Sequence, residues 1–398
     1  MSSILIKLIN MSTTDTDPAA WLTVEAALAR LGVARQTLYA YVSRGLVRAR
    51  GAENDPRRSL YDPRSIDALL ERRRRGRARK AVAASTIDFG EPVLASRITR
   101  IADGALLYRG QDAIALAARA TLEEVAALLW EAPGLAKLAA SVYVPAEPRG
   151  PIERCLRRVA SLAGPGIWAR SPAALFGDAA ALLRRIAEAA CNARSEGPLH
   201  AAMARAWGSD AATADLIRRA LVLCADHELN ASAFAVRVVA STGAALPACL
   251  LAGLAALSGP LHGGMTERVG ALLAEPGMQD DPQVAIAARL ARGENLPGFG
   301  HRLYPDGDPR AAALLAALAP GAWWQALLRA VWELTGLRPN VDFALVALER
   351  EAGLPAGSAL ALFAAGRTAG WIAHALEQRA DGRLIRPRAI YAGPAMPA

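Results

Sequence analysis

The sequence predicts a mainly α-helical protein in two parts, a small basic module near the N-terminus and a much larger all-helical body. Three observations predict it. The chain has 398 residues, 53% of them hydrophobic, which is enough for a large buried core and two to three domains. Its basic excess is local: residues 21–80 hold 15 Lys and Arg against 6 Asp and Glu, while the remainder carries 31 of each sign. Beyond about residue 85 the pattern is Ala-, Leu- and Arg-rich at helical spacing, broken by Gly and Pro. Only a short stretch within Arg97–Tyr108 alternates with period two.

The same composition excludes a disordered chain, a disulfide scaffold and a collagen-like fibre. Cys155, Cys191, Cys224 and Cys249 have no CxxC spacing and read as buried thiols in a reducing compartment. No glycine-rich nucleotide loop and no internal repeat is present. Residues 1–20 read as disordered and make a poor signal peptide, and Met11 offers a second start. The stretch Val238–Met265 has no charged residue but is rich in Ala and Gly and contains Pro247. It reads as a buried helix pair or a subunit interface, not a membrane span. The chain is expected to be cytoplasmic.

In the basic module, Thr23 is placed to cap a helix through Val24, Ala27, Leu28 and Leu31, which Gly32 ends. A second helix runs from Arg35 to Arg44 and stops at Gly45. Leu46–Arg48 and Ser59–Tyr61 flank the polar stretch Gly51–Arg58 as a two-stranded wing, and Ser65 is placed to cap a third helix. Two helices joined by a tight turn form a helix-turn-helix. LTVEAALARLGVARQTLYAYVSRGL resembles the winged helix-turn-helix modules of the MerR and excisionase type. By that resemblance the second helix would present Arg35, Gln36, Thr37, Tyr39 and Arg44 to DNA, with Arg57 and Arg58 at the wing tip. Arg72–Lys80 would be a linker or a phosphate-contacting tail. An adaptor domain whose charges only solvate it is the other reading.

In the body, four segments place rare polar residues in glycine-rich or capped settings. They are Asp226–Ser232, Gly259–Gly264, Pro297–Tyr304 leading to Asp308-Pro309-Arg310, and Arg338–Phe343. Three of the five histidines lie in them, and glycine lets backbone approach a ligand closely. Paired-histidine metal spacing is absent, so no metal is expected. Two glycine-flanked histidines, a capped Asp and an Arg-bearing turn suggest carbon-acid chemistry. A carboxylate takes a proton next to a carbonyl, imidazoles hydrogen-bond the developing oxyanion, and arginines clamp carboxylates. His374 reads as structural, His200 as either pocket or core, and Trp323 and Trp324 as packing.

These segments, in this order, resemble the citrate synthase family, with Ile98–Ala117, Gly366–His374 and Arg386-Pro387-Arg388 agreeing. The resemblance covers roughly residues 85–398 and implies an all-helical, two-subdomain fold with a small subdomain at about 262–350. It implies Asp342 as general base, His262 steadying the enol of acetyl-CoA, and His301 polarising the oxaloacetate ketone. His227, Arg310 and Arg367 would hold oxaloacetate, and Arg386 would reach across a homodimer into the partner's site. Acetyl-CoA or propionyl-CoA would be co-substrate, with no permanently bound cofactor. Departures are Met265-Thr266 where the family has Ala-Asn, Leu303 after His301-Arg302, and a body of about 310 residues, shorter than most relatives. The alternative function is a DNA-binding regulator whose synthase-like body senses metabolites.

Overall fold

The computed structural model describes residues 21–43, 46–52, 55–70, 94–132, 147–164, 172–389, 391 and 393. Residues 1–20, Arg44, Gly45, the Arg57 side chain and the basic run 71–80 lie outside the described residues, so the readings made for them find no test here. The chain divides into two compact units, Met1–Ala95 and Ser96–Ala398.

The first unit contains α1 (Val24–Leu31), α2 (Arg35–Ser43), β1 (Ala49–Ala52), β2 (Asp55–Tyr61) and α3 (residues 63–70). Thr23 caps α1 by accepting the Ala26 N–H, and Gly32 ends it at φ 61°, where a left-handed residue is needed. Leu31, Leu38, Val47, Tyr61 and Ile66 close a small core of their own. Two expectations are corrected. The helix placed after Ser65 begins at residue 63, because Asp62 Oδ1 accepts the Arg64 N–H at 3.0 Å. Ser65 is committed elsewhere, accepting the Arg48 N–H at 3.1 Å. The wing is displaced: its first strand starts at Ala49, past the expected Leu46–Arg48, and pairs on through Gly51 opposite Ser59 and Ala52 opposite Asp55, so Arg57 and Arg58 lie along β2 instead of at the tip. Leu22 adds a bridge to Tyr61.

The second unit opens with a three-stranded antiparallel sheet, β3 (Thr99–Ala102), β4 (Ala105–Tyr108) and β5 (Gln111–Asp112). Both its turns place two successive residues at positive φ, Asp103-Gly104 and Arg109-Gly110, the backbone that tight hairpins require. Helices follow: α4 (Ala113–Arg119), α5 (Leu122–Trp130), α6 (Pro151–Ala160), α7 (Pro172–Cys191), α8 (Leu199–Ala206), α9 (Ala211–Leu223) and α10 (Ala231–Ser241). Then come α11 (Leu246–Leu257), α12 (Met265–Leu273), α13 (Pro282–Ala291), α14 (Pro309–Leu318), α15 (Ala322–Thr335), α16 (Val341–Glu351) and α17 (Ser358–Asp381). Side-chain caps recur at their starts, from Asp112, Thr121, Asp210, Asn230, Asp281, Asp308 and Asn340.

α17 is the axis of this unit. It is buried along nearly its whole length and packs on α5, α7, α9, α10, α11 and α16. Its glycines permit the closest approaches: a Cβ on Gly366 would meet Leu221 O at 2.6 Å, and one on Gly370 would strike Ala225 O and Asp226 Oδ1. The uncharged stretch 238–265 becomes the end of α10 and all of α11, which pack against each other. Among the described residues no helix is long and apolar enough to cross a membrane.

Candidate active site

Each candidate side chain sits where a connection meets a helix, and its neighbours fix that connection. His227 lies between α9 and α10. From the sheet side, the Tyr108 hydroxyl lies within 3.1–3.2 Å of the Val222, Leu223 and Asp226 carbonyls. Glu228, at φ 50°, accepts the Ile101 N–H on Oε1 at 2.7 Å. From α17, the Gly370 N–H donates to Ala225 O at 2.9 Å, and Arg367 Nε donates to Cys224 O at 2.8 Å. Asp226 and His374, both fully buried, meet beneath the loop at 3.2 Å. Burial alone would raise the Asp226 pKa, but His374 and then Arg367 hold it below the usual carboxylate range. A residue in a strained left-handed backbone, as Glu228 is, persists only when its surroundings over-determine it.

His262 lies in the turn before α12, where Gly263 and Gly264 admit no side chain: an added Cβ would come within 2.7 Å of Leu257 O and 3.0 Å of Gly259 O. Its Nε2 is 2.8 Å from Ser232 Oγ, which also receives the Trp371 indole N–H at 3.1 Å. The His262 ring meets Phe363 edge-on at 5.9 Å, and the Arg367 guanidinium lies 4.9 Å over the same phenyl ring.

His301 and Asp342 are 41 positions apart in the sequence and are tied together by backbone. Gly300 N donates to Arg338 O and Asn340 N donates to Gly298 O, both at 2.8 Å, with Phe299 bridged to Pro339. Gly298 and Gly300, at φ 85° and 77°, supply the conformations this pairing needs. Asp308 adds a second tie. Its Oδ1 accepts Arg310 N and Nε, and its Oδ2 accepts Arg310 Nη2 at 2.8 Å and the Val341 N–H at 3.0 Å. Asn340 caps α16, which places Asp342 in the first turn.

The electrostatics separate these groups cleanly. Burial pushes the Asp342 carboxyl up to about 7; Arg310 and Arg367 oppose that rise and Asp308 reinforces it. Asp342 keeps partial solvent access, but its Oδ1 is enclosed without a hydrogen-bond partner. Burial lowers His262 and His301 to about 4 each, helped by Arg367 and Arg310 respectively, and lowers His227 well below the ordinary histidine value. All three rings are therefore neutral at physiological pH. The Leu303 N–H points at His301 Nδ1 at 3.2 Å, so the ring proton belongs on Nε2. Arg367 Nη2 is buried with no partner, a donor left over for an anionic ligand.

The residues singled out from sequence divide accordingly. His227, His301, Asp342, Arg310 and Arg367 share one charged neighbourhood, and His262 joins it through Arg367. Arg386 is not brought in by its own chain: it lies exposed in the segment that follows α17. His200 is half-buried on α8 among Glu123, Arg218 and Asp215, outside the cluster. Trp324 packs in the core as expected. Trp323 also faces a separate cleft of about 300 Å³ with Trp324, Arg350 and Glu351. Sequence reasoning assigned no role to Tyr304, whose hydroxyl is 3.0 Å from His227 Nε2, nor to Asp308 as the counter-ion of Arg310. Both stand inside the quoted segments. In the first unit, Arg35, Gln36 and Tyr39 are exposed on α2 and Thr37 is half-buried, while Arg58 is exposed on β2. Arg35 reaches Glu25 at 3.4 Å. Among the described residues no cluster of His, Cys, Asp or Glu could hold a metal ion.

Comparison with known proteins bears on the family and the fold. A model of the citrate synthase C-terminal domain matches residues 167–388. A putative citrate synthase 2 of Mycobacterium tuberculosis is 44% identical over 185 residues, 44% of this chain and 50% of that protein. A 2-methylcitrate synthase of Shewanella oneidensis is 36% identical over 183 residues, 44% of this chain and 49% of that protein. The chain thus spans about half the length of the curated relatives it matches. In three dimensions it superposes on a citrate synthase from Thermotoga maritima with TM-score 0.63 at 26% identity, over 78% of this chain and 96% of that one.

Proposed function

The chain belongs to the citrate synthase family, and from that premise we propose that it condenses an acyl-CoA with oxaloacetate. Acetyl-CoA would give citrate and CoA; propionyl-CoA would give 2-methylcitrate. The observation that carries this reading is Asp342: a carboxylate with one enclosed, unpartnered oxygen, pushed up to about 7, and tied by backbone to the His301 loop.

A thioester α-carbon is a very weak acid, so a lone carboxylate does not ionise it unaided. Asp342 removes the proton while the His262 imidazole steadies the forming enol oxygen; each such effect is worth about 10²–10³ in rate. The enol carbon then attacks the oxaloacetate ketone. The C–C bond forms while the His301 Nε2–H hydrogen-bonds the developing alkoxide, which takes up the proton that Asp342 removed. Water afterwards cleaves the thioester and releases CoA. Arg310, Arg367 and His227 hold the two carboxylates of oxaloacetate, with the unpaired Nη2 of Arg367 as one donor. CoA runs along the glycine-rich backbone beside His262 and His301. The segment at about 262–350 is the smaller subdomain, and its closure excludes water that would otherwise hydrolyse the thioester. A thiol-release assay with both acyl donors tests the reading: CoA appears only when oxaloacetate is added, and no CoA from either donor overturns it.

Arg386, exposed in its own chain, completes the site of a second copy in a homodimer. Mixing an Arg386→Ala protein with an Asp342→Asn protein should restore activity through mixed dimers. The first unit supports a second role. Exposed Arg35, Gln36, Tyr39 and Arg58 on a helix and a hairpin suit a winged helix-turn-helix that binds DNA, with the body as enzyme or metabolite sensor. Mobility shifts at two salt concentrations decide it: affinity for DNA falls steeply with salt, and no shift at either reduces the module to an adaptor.

A further inference from the structure

Tyr304 stands at the centre of the site without a role in the reaction just described. Its side chain is 2% exposed. The hydroxyl lies 3.0 Å from His227 Nε2, and the ring sits 4.9 Å from the His301 ring, tilted at 41°. The Arg310 guanidinium lies over the same ring, 5.8 Å from its centroid. Tyr304 thus touches three of the groups to which the condensation reading assigns oxaloacetate. Its own place is fixed by the turn that carries it, where Tyr304 N donates to His301 O and Gly307 N donates to Tyr304 O, both at 3.0 Å.

The charge states make the contact durable. Burial raises the phenol far above its ordinary value and drives His227 well below the ordinary histidine value, so both partners stay neutral across the physiological range. A bond between neutral groups in a low-dielectric site does not come and go with pH there. A histidine that holds a substrate through one ring edge needs its ring plane set before the substrate arrives. The backbone anchors of the His227 loop fix its main chain, and the Tyr304 hydroxyl reaches the imidazole itself.

We propose that Tyr304 is a positioning residue that orients the His227 imidazole, and braces His301 and Arg310, for the 2-oxo dicarboxylate. The inference rests on the condensation reading for the identity of that ligand, but its test is separable. Tyr304→Phe removes one oxygen and keeps the ring. The variant should raise the KM for oxaloacetate about 5–20-fold, the scale of one buried hydrogen bond. The KM for acyl-CoA should stay within about twofold, because nothing places Tyr304 at that substrate. In a His227→Gln background the same change should add little, since coupled residues are not additive.

Two readouts need no turnover: calorimetric binding of oxaloacetate, and the imidazole ¹⁵N resonances of His227, which should move in Tyr304→Phe. Tyr304→Leu, which also removes the ring, should weaken oxaloacetate binding further. If the wild type releases no CoA, the condensation reading falls and Tyr304 is still judged by the resonances and the binding. Unchanged oxaloacetate affinity with unmoved His227 resonances overturns the proposal. So does full additivity with His227→Gln, which would mean that Tyr304 acts on something else.

Discussion

Two aspartates at neighbouring helix starts show how one cleft keeps one carboxylate charged and the other proton-hungry. Asp308 and Asp342 both sit at the N-terminal ends of helices, α14 and α16, where the helix dipole favours a negative charge. Both are largely enclosed, and both feel Arg310. Yet Asp308 is held below the usual carboxylate range, because Arg310 outweighs its burial, while Asp342 is pushed up to about 7. The difference lies in partners. Asp308 fills both oxygens with the Arg310 fork and the Val341 N–H; Asp342 leaves Oδ1 with none. Helix position does not make an acid or a base. The count of donors aimed at the oxygens decides it.

The largest effect should come from neutralising the unpaired member. Asp342→Asn keeps shape but takes no proton, so single-turnover condensation should fall by about 10³-fold or more, with oxaloacetate binding retained. The stability change should have the opposite sign. A carboxyl whose folded pKa is raised contributes fully below its unfolded value of about 4 and loses that contribution as pH rises through about 7. The amide carries no such penalty. The variant should therefore be more stable than wild type by about 2–4 kcal/mol at pH 9, with the gap shrinking towards pH 5. A wild type that is the more stable protein at pH 9 breaks the comparison.

Asp308→Asn removes the satisfied member and strands a buried guanidinium. Breaking such a pair costs about 3–5 kcal/mol, so the melting temperature should drop sharply. Adding oxaloacetate should recover part of it, because the ligand supplies the missing anion and binds only the folded state. The pH profile sharpens the point. In the wild type, kcat should rise with pH through about 7 as Asp342 ionises. The Asp308 charge helps hold that value up, so the acid limb of Asp308→Asn should move to lower pH. A limb that moves upward would mean that Arg310, set free, turns away from Asp342.

Much of this site was legible before any coordinates. The four segments carry their own signals: a ring beside glycine, an Asp two residues after a capping Asn, an Arg two after a capping Asp. The body was legible as helical too, since its Ala-, Leu- and Arg-rich pattern keeps helical spacing between Gly and Pro breaks. What stayed hidden needed a tertiary partner. Tyr108 reads as a buried strand residue until the fold brings its hydroxyl to Asp226 O, 118 positions away. Glu228 gains its partner only when the fold brings Ile101 to it. Within the first unit, Ser65 reads as the cap of the third helix, which instead begins at residue 63, after Asp62. Asp62 takes that place, and the Ser65 hydroxyl instead accepts the Arg48 N–H from the loop before β1.

The smallest predicted effect tests the border between the two aspartates. Asn340 accepts the Asp342 and Phe343 N–H groups on Oδ1, and its Nδ2 donates to Gly300 O at 3.3 Å. Asn340→Asp keeps the cap, since Asp and Asn rank alike at that position. It loses the amide donor to Gly300 and adds an anion two residues from the base. Stability should fall by no more than about 1 kcal/mol. The new charge opposes ionisation of Asp342, so the acid limb of kcat should move up by a few tenths of a pH unit, opposite in direction to Asp308→Asn. Two substitutions of opposite charge change, on either side of one carboxylate, should thus move one titration in opposite directions. If both leave it in place, burial alone sets Asp342 and its charged neighbours are bystanders.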